Sequence, residues 1–204
     1  IGVNFLREHL IQEMRIHYVI TDGGAAPNIV PATAASRYFI RGPKYPDVEY
    51  ARKRIDDIAK AAAMMAGVEL EIGFSSGIYN KVPNKTLALM AMDAFKSVGA
   101  TKYTEAELAA AKALGYAKAP TADFKEPSGS QSFGSNPIGD VTWKTPTTTI
   151  TVATWVPGTA GHSTDSAAQS CSVYGFEGAV TGSKVLAALA IKLMTDEAAL
   201  ASVK

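Results

Sequence analysis

Hydrophobic and polar positions divide this chain into short segments of alternating period. Val3, Leu6 and Leu10 stand at helical spacing, so residues 1 to 10 read as the end of a helix. RIHYVI, residues 15–20, is β-branched and aromatic. It puts Ile16, Tyr18 and Ile20 on one strand face and Arg15, His17 and Val19 on the other. TDGGAAPN is turn chemistry, and SRYFIR, residues 36–41, resumes an extended pattern. Pro46 and Asp47 suit a helix start. Val48, Ile55, Ile58, Ala62 and Met65 recur at threes and fours until Gly67 stops the run. VELEIGF, residues 68–74, alternates strictly and reads as a half-buried strand.

Helix, strand, strand, helix, strand is a β-α-β-β-α-β ferredoxin-like unit without its first strand. The expectation is that residues upstream of Ile1 supply that strand, because a sheet otherwise keeps an open edge. The pattern changes near Pro83. Asn84 can cap a helix carrying Leu87, Met90, Ala91, Ala94, Phe95 and Val98, ended by Gly99, and Thr104 with Glu107 forms a capping box for a shorter helix ending near Gly115. Residues 116–146 are polar and rich in Gly, Pro and Ser, too long for an ordinary connector. TTTITVAT, residues 147–154, reads as a strand, WVPGTAGHS as a Gly-rich loop and residues 179–194 as a helix begun by GAVTGSK. A short last helix is capped at Thr195.

Composition narrows the classes. The 204 residues are 47% hydrophobic and 19% charged, which suits a folded chain of one large or two small domains. Lys plus Arg is 20 and Asp plus Glu 19, so there is no basic field for nucleic acid or an anionic membrane. One cysteine, Cys171, excludes an internal disulfide and fits a small-residue role in a reducing, cytoplasmic setting. No signal peptide pattern opens the chain.

Candidate chemistry is sparse. His9 reads as a solvated helix-end residue, and His17 as either a surface residue or a ligand contact. His162 follows Gly158 and Gly161 in a loop directly after an expected strand, where rigid scaffolds present functional groups. No HxH, HExxH or CxxC occurs, so a metal at His162 needs ligands from elsewhere. Asp140 is a candidate substrate group or a plain turn residue.

Taken together, RIHYVITDGGAAPNIVPATAASRYFIRGP, IYNKVPNKTLALMAMDAF, GDVTW and TWVPGTAGHS resemble the aminobenzoyl-glutamate utilisation protein B group of the aminoacylase and carboxypeptidase G superfamily of two-metal amidohydrolases. The resemblance runs almost end to end, through separate blocks in the right order. It implies a mixed α+β and α/β plan. Residues 1–78 would be an incomplete ferredoxin-like lid that makes a homodimer, and residues 79–204 the C-terminal part of an α/β metallopeptidase-type catalytic domain. It implies that Asn28 and, thirteen residues on, Arg41 hold a substrate carboxylate, which an amide and a guanidinium suit physically. It makes His162 the last metal ligand, while the family's general-base Glu and lid His would precede Ile1; His17 and Asp140 stay candidate catalytic groups on the reading of the residues alone. Two divalent metals (zinc, manganese or cobalt) are implied per intact site, most of whose ligands would lie in a missing N-terminal segment. The implied activity is hydrolysis of an amide next to a free carboxylate, of the p-aminobenzoyl-glutamate or N-acyl amino acid type. The alternative is a non-catalytic remnant acting with another chain.

Overall fold

A computed structural model describes residues 1–116, 118–120, 123–129 and 134–204 of the chain. The expected loop 116–146 lies partly outside these. The architecture is α+β, with one small antiparallel sheet among helices. It falls into two compact units, one containing Ile1–Lys81 and Asp140, the other the helices after Val82 and Val141–Lys204.

In the first unit, helix α1 (Gly2–Arg7) leads to strands β1 (Arg15–Asp22) and β2 (Ala35–Arg41), and then to helix α2 (Tyr45–Ala66). The strands pair antiparallel, with Arg15 opposite Arg41, His17 opposite Phe39 and Val19 opposite Arg37. The other sheet face packs inward. Ile16 joins Val3, Leu6 and Ile55 in a buried cluster with Tyr38, Ile40 and Ile58 at its margin, and Tyr18 stacks on Tyr38 at 5.4 Å. The alternation in RIHYVI therefore marks the correct faces. Proline in the first turn of α2 and the left-handed Gly67 at its end (φ 68°) are the signals that bounded it in the sequence.

Residues 68–74 depart from expectation. They form no strand, and Val68 and Phe74 are 62% and 72% exposed. Alternation assigns side chains to faces, but a strand exists only where a neighbour completes its hydrogen-bond ladder. Among the described residues this segment has none.

The second unit packs α3 (Lys85–Val98) on a long α7 (Val173–Thr195). Leu87, Ala91 and Ala94 meet Val185 and Leu189, and Val203 of α8 (Glu197–Val203) closes the cluster. Asn84 caps α3 as expected, its Oδ1 accepting from Leu87 N at 2.8 Å, and its Nδ2 donates to Val203 O at 2.8 Å. The Thr104–Glu107 capping box opens α4 (Glu105–Ala113), and its two hydrogen bonds from Thr104 hold the Glu107 carboxyl below the usual carboxylate range.

Several readings need correction here. Residues 147–154 form no strand. They run extended along α7, where Gly178 and Gly182 let them approach: a Cβ on Gly178 would stand 2.5 Å from Thr154 Cγ2. GAVTGSK is thus the interior of α7, which begins at Val173 under a Ser172 cap, and its glycines serve close packing. Asp196, not Thr195, caps α8. Helix α5 (Ile138–Thr142) breaks the stretch read as a long loop, and α6 (Thr164–Ser170) follows the Gly-rich loop directly. Cys171 is exposed at the end of α6. By length and composition α7 could cross a bilayer, but Tyr174, Thr181, Val185 and Leu189 commit one side of it to the unit's interior, and a core helix passes the same test.

Candidate active site

In the second unit the chain leaves α7's glycines at Thr154 and turns through Trp155–Ser163 into α6. The turn is held from inside by Gln169, which is 2% exposed. Val156 N donates to Gln169 Oε1 at 2.7 Å, Gln169 Nε2 donates to Thr159 Oγ1 at 2.9 Å, and Thr159 Oγ1 donates to Val156 O at 2.9 Å. Trp155 Nε1 donates to Ser170 Oγ at 2.9 Å. Ser163 and Ser166 form a reciprocal capping box, Ser163 N donating to Ser166 Oγ and Ser166 N to Ser163 Oγ, each at 3.1 Å.

His162 stands at the end of this turn with φ 57°, the left-handed region, and among the described residues no other non-glycine residue has positive φ. Such a backbone costs energy unless its surroundings enforce it, and it gathers at functional sites. The residue is exposed and lines an open cavity of about 300 Å³ together with Trp155, Gly161, Ser163, Ser166, Ala167 and Ser170.

Can these residues hold metal? The cavity offers one imidazole. The serine hydroxyls already bond within α6 and its cap: Ser166 Oγ donates to Ser163 O, Ser170 Oγ to Ser166 O and Ser163 Oγ to Ala160 O. Among the described residues no group of three or more His, Cys, Asp or Glu side chains is placed to hold a metal ion. The chain's described residues therefore do not by themselves make a two-metal centre.

The remaining candidates belong to the first unit. His17 is exposed on the outer face of β1, and the register puts Arg15, Arg37 and Arg41 on that same face. His17 and Arg41 are diagonal neighbours there, a spacing of about 7–8 Å between Cα atoms. Arg15 donates to Met14 O at 2.8 Å and also to Gln12 O. Asn28 lies exposed in the loop joining the strands, tied at its base where Thr33 Oγ1 donates to Asp22 Oδ2 at 3.0 Å. Arg41 is at the opposite end of β2, about 20 Å along the strand from that base. Asn28 is six residues beyond Asp22, in a turn closed by Ile29 N donating to Ala26 O at 3.2 Å, so it stays at the end of the sheet away from Arg41. Asp140, a candidate catalytic or substrate group or a plain turn residue, is in the first turn of α5, and its Oδ1 accepts from Tyr79 N at 2.7 Å. That carboxylate has a structural task in the first unit.

Sequence reasoning missed Gln169, Trp155 and the Ser163–Ser166 box. The only available signal was S-x-x-S with Asp165 between, a weak cap pattern.

No family model matches the chain. Among curated proteins it is 28% identical over 228 aligned residues to a p-aminobenzoyl-glutamate hydrolase subunit of Escherichia coli (strain K12), covering 96% of this chain and 47% of that protein. It is 28% identical over 135 residues to the Xaa-Arg dipeptidase of Mus musculus (66% of this chain, 28% of that protein). The Xaa-Arg dipeptidase of Homo sapiens is 30% identical over 99 residues (48% and 23%). The chain thus spans about half the length of the first relative and less of the dipeptidases. The chain's homologues are thus hydrolases of the amidohydrolase and peptidase superfamily, the first of them matched over 96% of this chain.

Proposed function

We propose that this chain is the C-terminal part of a metal-dependent amidohydrolase that cleaves an amide next to a free carboxylate, of the p-aminobenzoyl-glutamate or N-acyl amino acid type. The observation that carries the reading is His162. It has a strained backbone at the mouth of a cavity, and the resemblance noted in the sequence would make it the family's last metal ligand. Its imidazole would be one donor in a divalent-metal centre (zinc, manganese or cobalt) whose other ligands belong to a preceding segment of the same protein.

Residues 1–78 act in this reading as a lid that also makes a homodimer, and residues 79–204 complete the catalytic domain. The lid's outer sheet face is cationic, with Arg15, Arg37 and Arg41 beside His17, which suits an anionic substrate end. Arg41 and Asn28, at opposite ends of the hairpin, are in this reading carboxylate-binding groups. The apolar side chains of 68–74 and the unladdered segment 147–154 are the surfaces that the preceding segment would cover. A cytoplasmic setting fits the unpaired cysteine.

The test is made on the protein from the whole reading frame. Elemental analysis of wild type and His162→Ala is combined with hydrolysis of p-aminobenzoyl-glutamate, N-acyl amino acids and dipeptides. The expected outcome is bound divalent metal, loss of one equivalent in His162→Ala, and release of a carboxylate-bearing amine. Full metal retention by the variant refutes the ligand assignment. A wild-type protein that hydrolyses none of these amides leaves the dimerisation remnant as the better account.

A further inference from the structure

The backbone of His162 is strained, and strain persists only where neighbouring structure over-determines it. Most of the loop before it is solvent-facing, so exposed contacts do not hold it. What does is one buried amide. Gln169 enters from α6, accepts from Val156 N at 2.7 Å, and donates to Thr159 Oγ1 at 2.9 Å, while Thr159 Oγ1 closes back on Val156 O at 2.9 Å. A three-membered ring of hydrogen bonds thereby fixes the turn on the side away from solvent. Both functions of the amide are used, and a buried amide that lost either partner would be left with an unpaired polar group. The same helix fixes the other end of the loop through the Ser163–Ser166 box, so His162 is suspended between two attachments to α6.

We infer that Gln169 is the positioning residue for His162. It touches neither substrate nor metal, and acts by holding the 156–159 turn so that the imidazole is presented at the cavity before any ligand arrives. Its effect on metal binding rests on the amidohydrolase reading above; its effect on the loop does not. Residues bonded directly to a metal ligand typically matter by about 10–100-fold in metal affinity, and Gln169, one step further out, sets an effect below that.

The experiment uses the protein from the whole reading frame in four forms: wild type, Gln169→Leu, Thr159→Val, and the double variant. Leu189→Ala in the α3–α7 cluster serves as a control of reduced stability remote from the loop. Amide hydrogen exchange over residues 155–163 is followed without metal, and zinc affinity is measured by competition with a chelator. Gln169→Leu is expected to speed exchange in the loop on the order of tenfold. Thr159→Val should do nearly the same, and the double variant should add little, because both remove one ring. Leu189→Ala should lower Tm while leaving loop exchange slower than in Gln169→Leu. Zinc affinity should fall in Gln169→Leu, by less than the roughly 10–100-fold lost when a group bonded directly to a ligand is removed. Loop exchange in Gln169→Leu that merely matches the Leu189→Ala control, or additive effects of the two loop variants, overturns the inference. If wild type binds none of zinc, manganese and cobalt, the hydrolase reading fails, and the exchange comparison still decides for or against Gln169.

Discussion

Two glycines one helical turn apart in α7 give a sharp test of how residues 147–154 are held. A Cβ on Gly178 would stand 2.5 Å from Thr154 Cγ2, whereas a Cβ on Gly182 would stand 3.3 Å from Val152 Cγ2. Alanine in a helix interior is favoured over glycine by about 0.8–1.0 kcal/mol at both positions. At 182 a side-chain tip need move only a few tenths of an ångström, so Gly182→Ala should stabilise by up to about 1 kcal/mol. At 178 the gap must open by about 1 Å or more to reach ordinary carbon contact. Overpacking of that kind costs about 1–3 kcal/mol, which leaves Gly178→Ala between neutral and about 2 kcal/mol destabilised. Thr154→Ser deletes the clashing methyl. The next neighbours of the new Cβ are then Ala153 O at 3.4 Å and the residue-154 Cβ at 3.6 Å. The double variant should therefore recover the helix-propensity gain, with a coupling of about 1–3 kcal/mol, the overpacking cost removed. Urea denaturation followed by tryptophan fluorescence reads the second unit alone, because both tryptophans, Trp143 and Trp155, belong to it. Gly178→Ala as stable as Gly182→Ala, and indifferent to Thr154→Ser, would refute the packing argument.

Three further outcomes follow from the same structure. Asn84→Ala should cost about 1–3 kcal/mol, by loss of the α3 cap and of the bond to Val203 O, while Asn84→Asp keeps the cap and should cost about half as much; urea midpoints at constant m check both. The Tyr103 hydroxyl is buried with no partner among the described residues, and desolvation pushes its pKa up to about 12 from 10.0. Above pH 10 the unfolded chain then ionises first, so stability is full below that pH and falls as pH rises toward about 12; Tyr103→Phe should flatten this slope in thermal melts taken across the range. Arg41→Ala should raise KM and lower kcat/KM for carboxylate-bearing substrates with little change in Tm, because Arg41 ends an exposed strand; unchanged kinetics would remove it from the site.

Local signals carried much of the fold. The Asn84 cap, the Thr104–Glu107 box, the Pro46 start and the Gly67 stop act within one helical turn, and each is where the residues put it. The β1–β2 hairpin was legible because both partners and the turn lie within one short stretch. The candidate site was legible only as a single histidine. Its loop is held by Gln169, seven residues on and inside a helix whose cap pattern is weak, and nothing in spacing distinguishes that glutamine from an exposed one.

The two strands that did not appear share a cause. Residues 68–74 and 147–154 both carry the right side chains in the right alternation, yet neither meets a neighbour among the described residues that could accept and donate along its backbone. Periodicity encodes which side of a segment is apolar, whereas a ladder is a property of two segments. Their fates then differ for a physical reason. Residues 147–154 are held against α7, because Gly178 and Gly182 admit their backbone and Ile150 reaches the α3–α7 cluster. Residues 68–74 follow a helix whose last turn exposes Met64 and Met65, and their own apolar face stays open. The second unit thus places the strand-like segment that leads into His162 without a sheet. In the first unit, residues 68–74 keep both an apolar face open to solvent and, among the described residues, a backbone edge without a ladder.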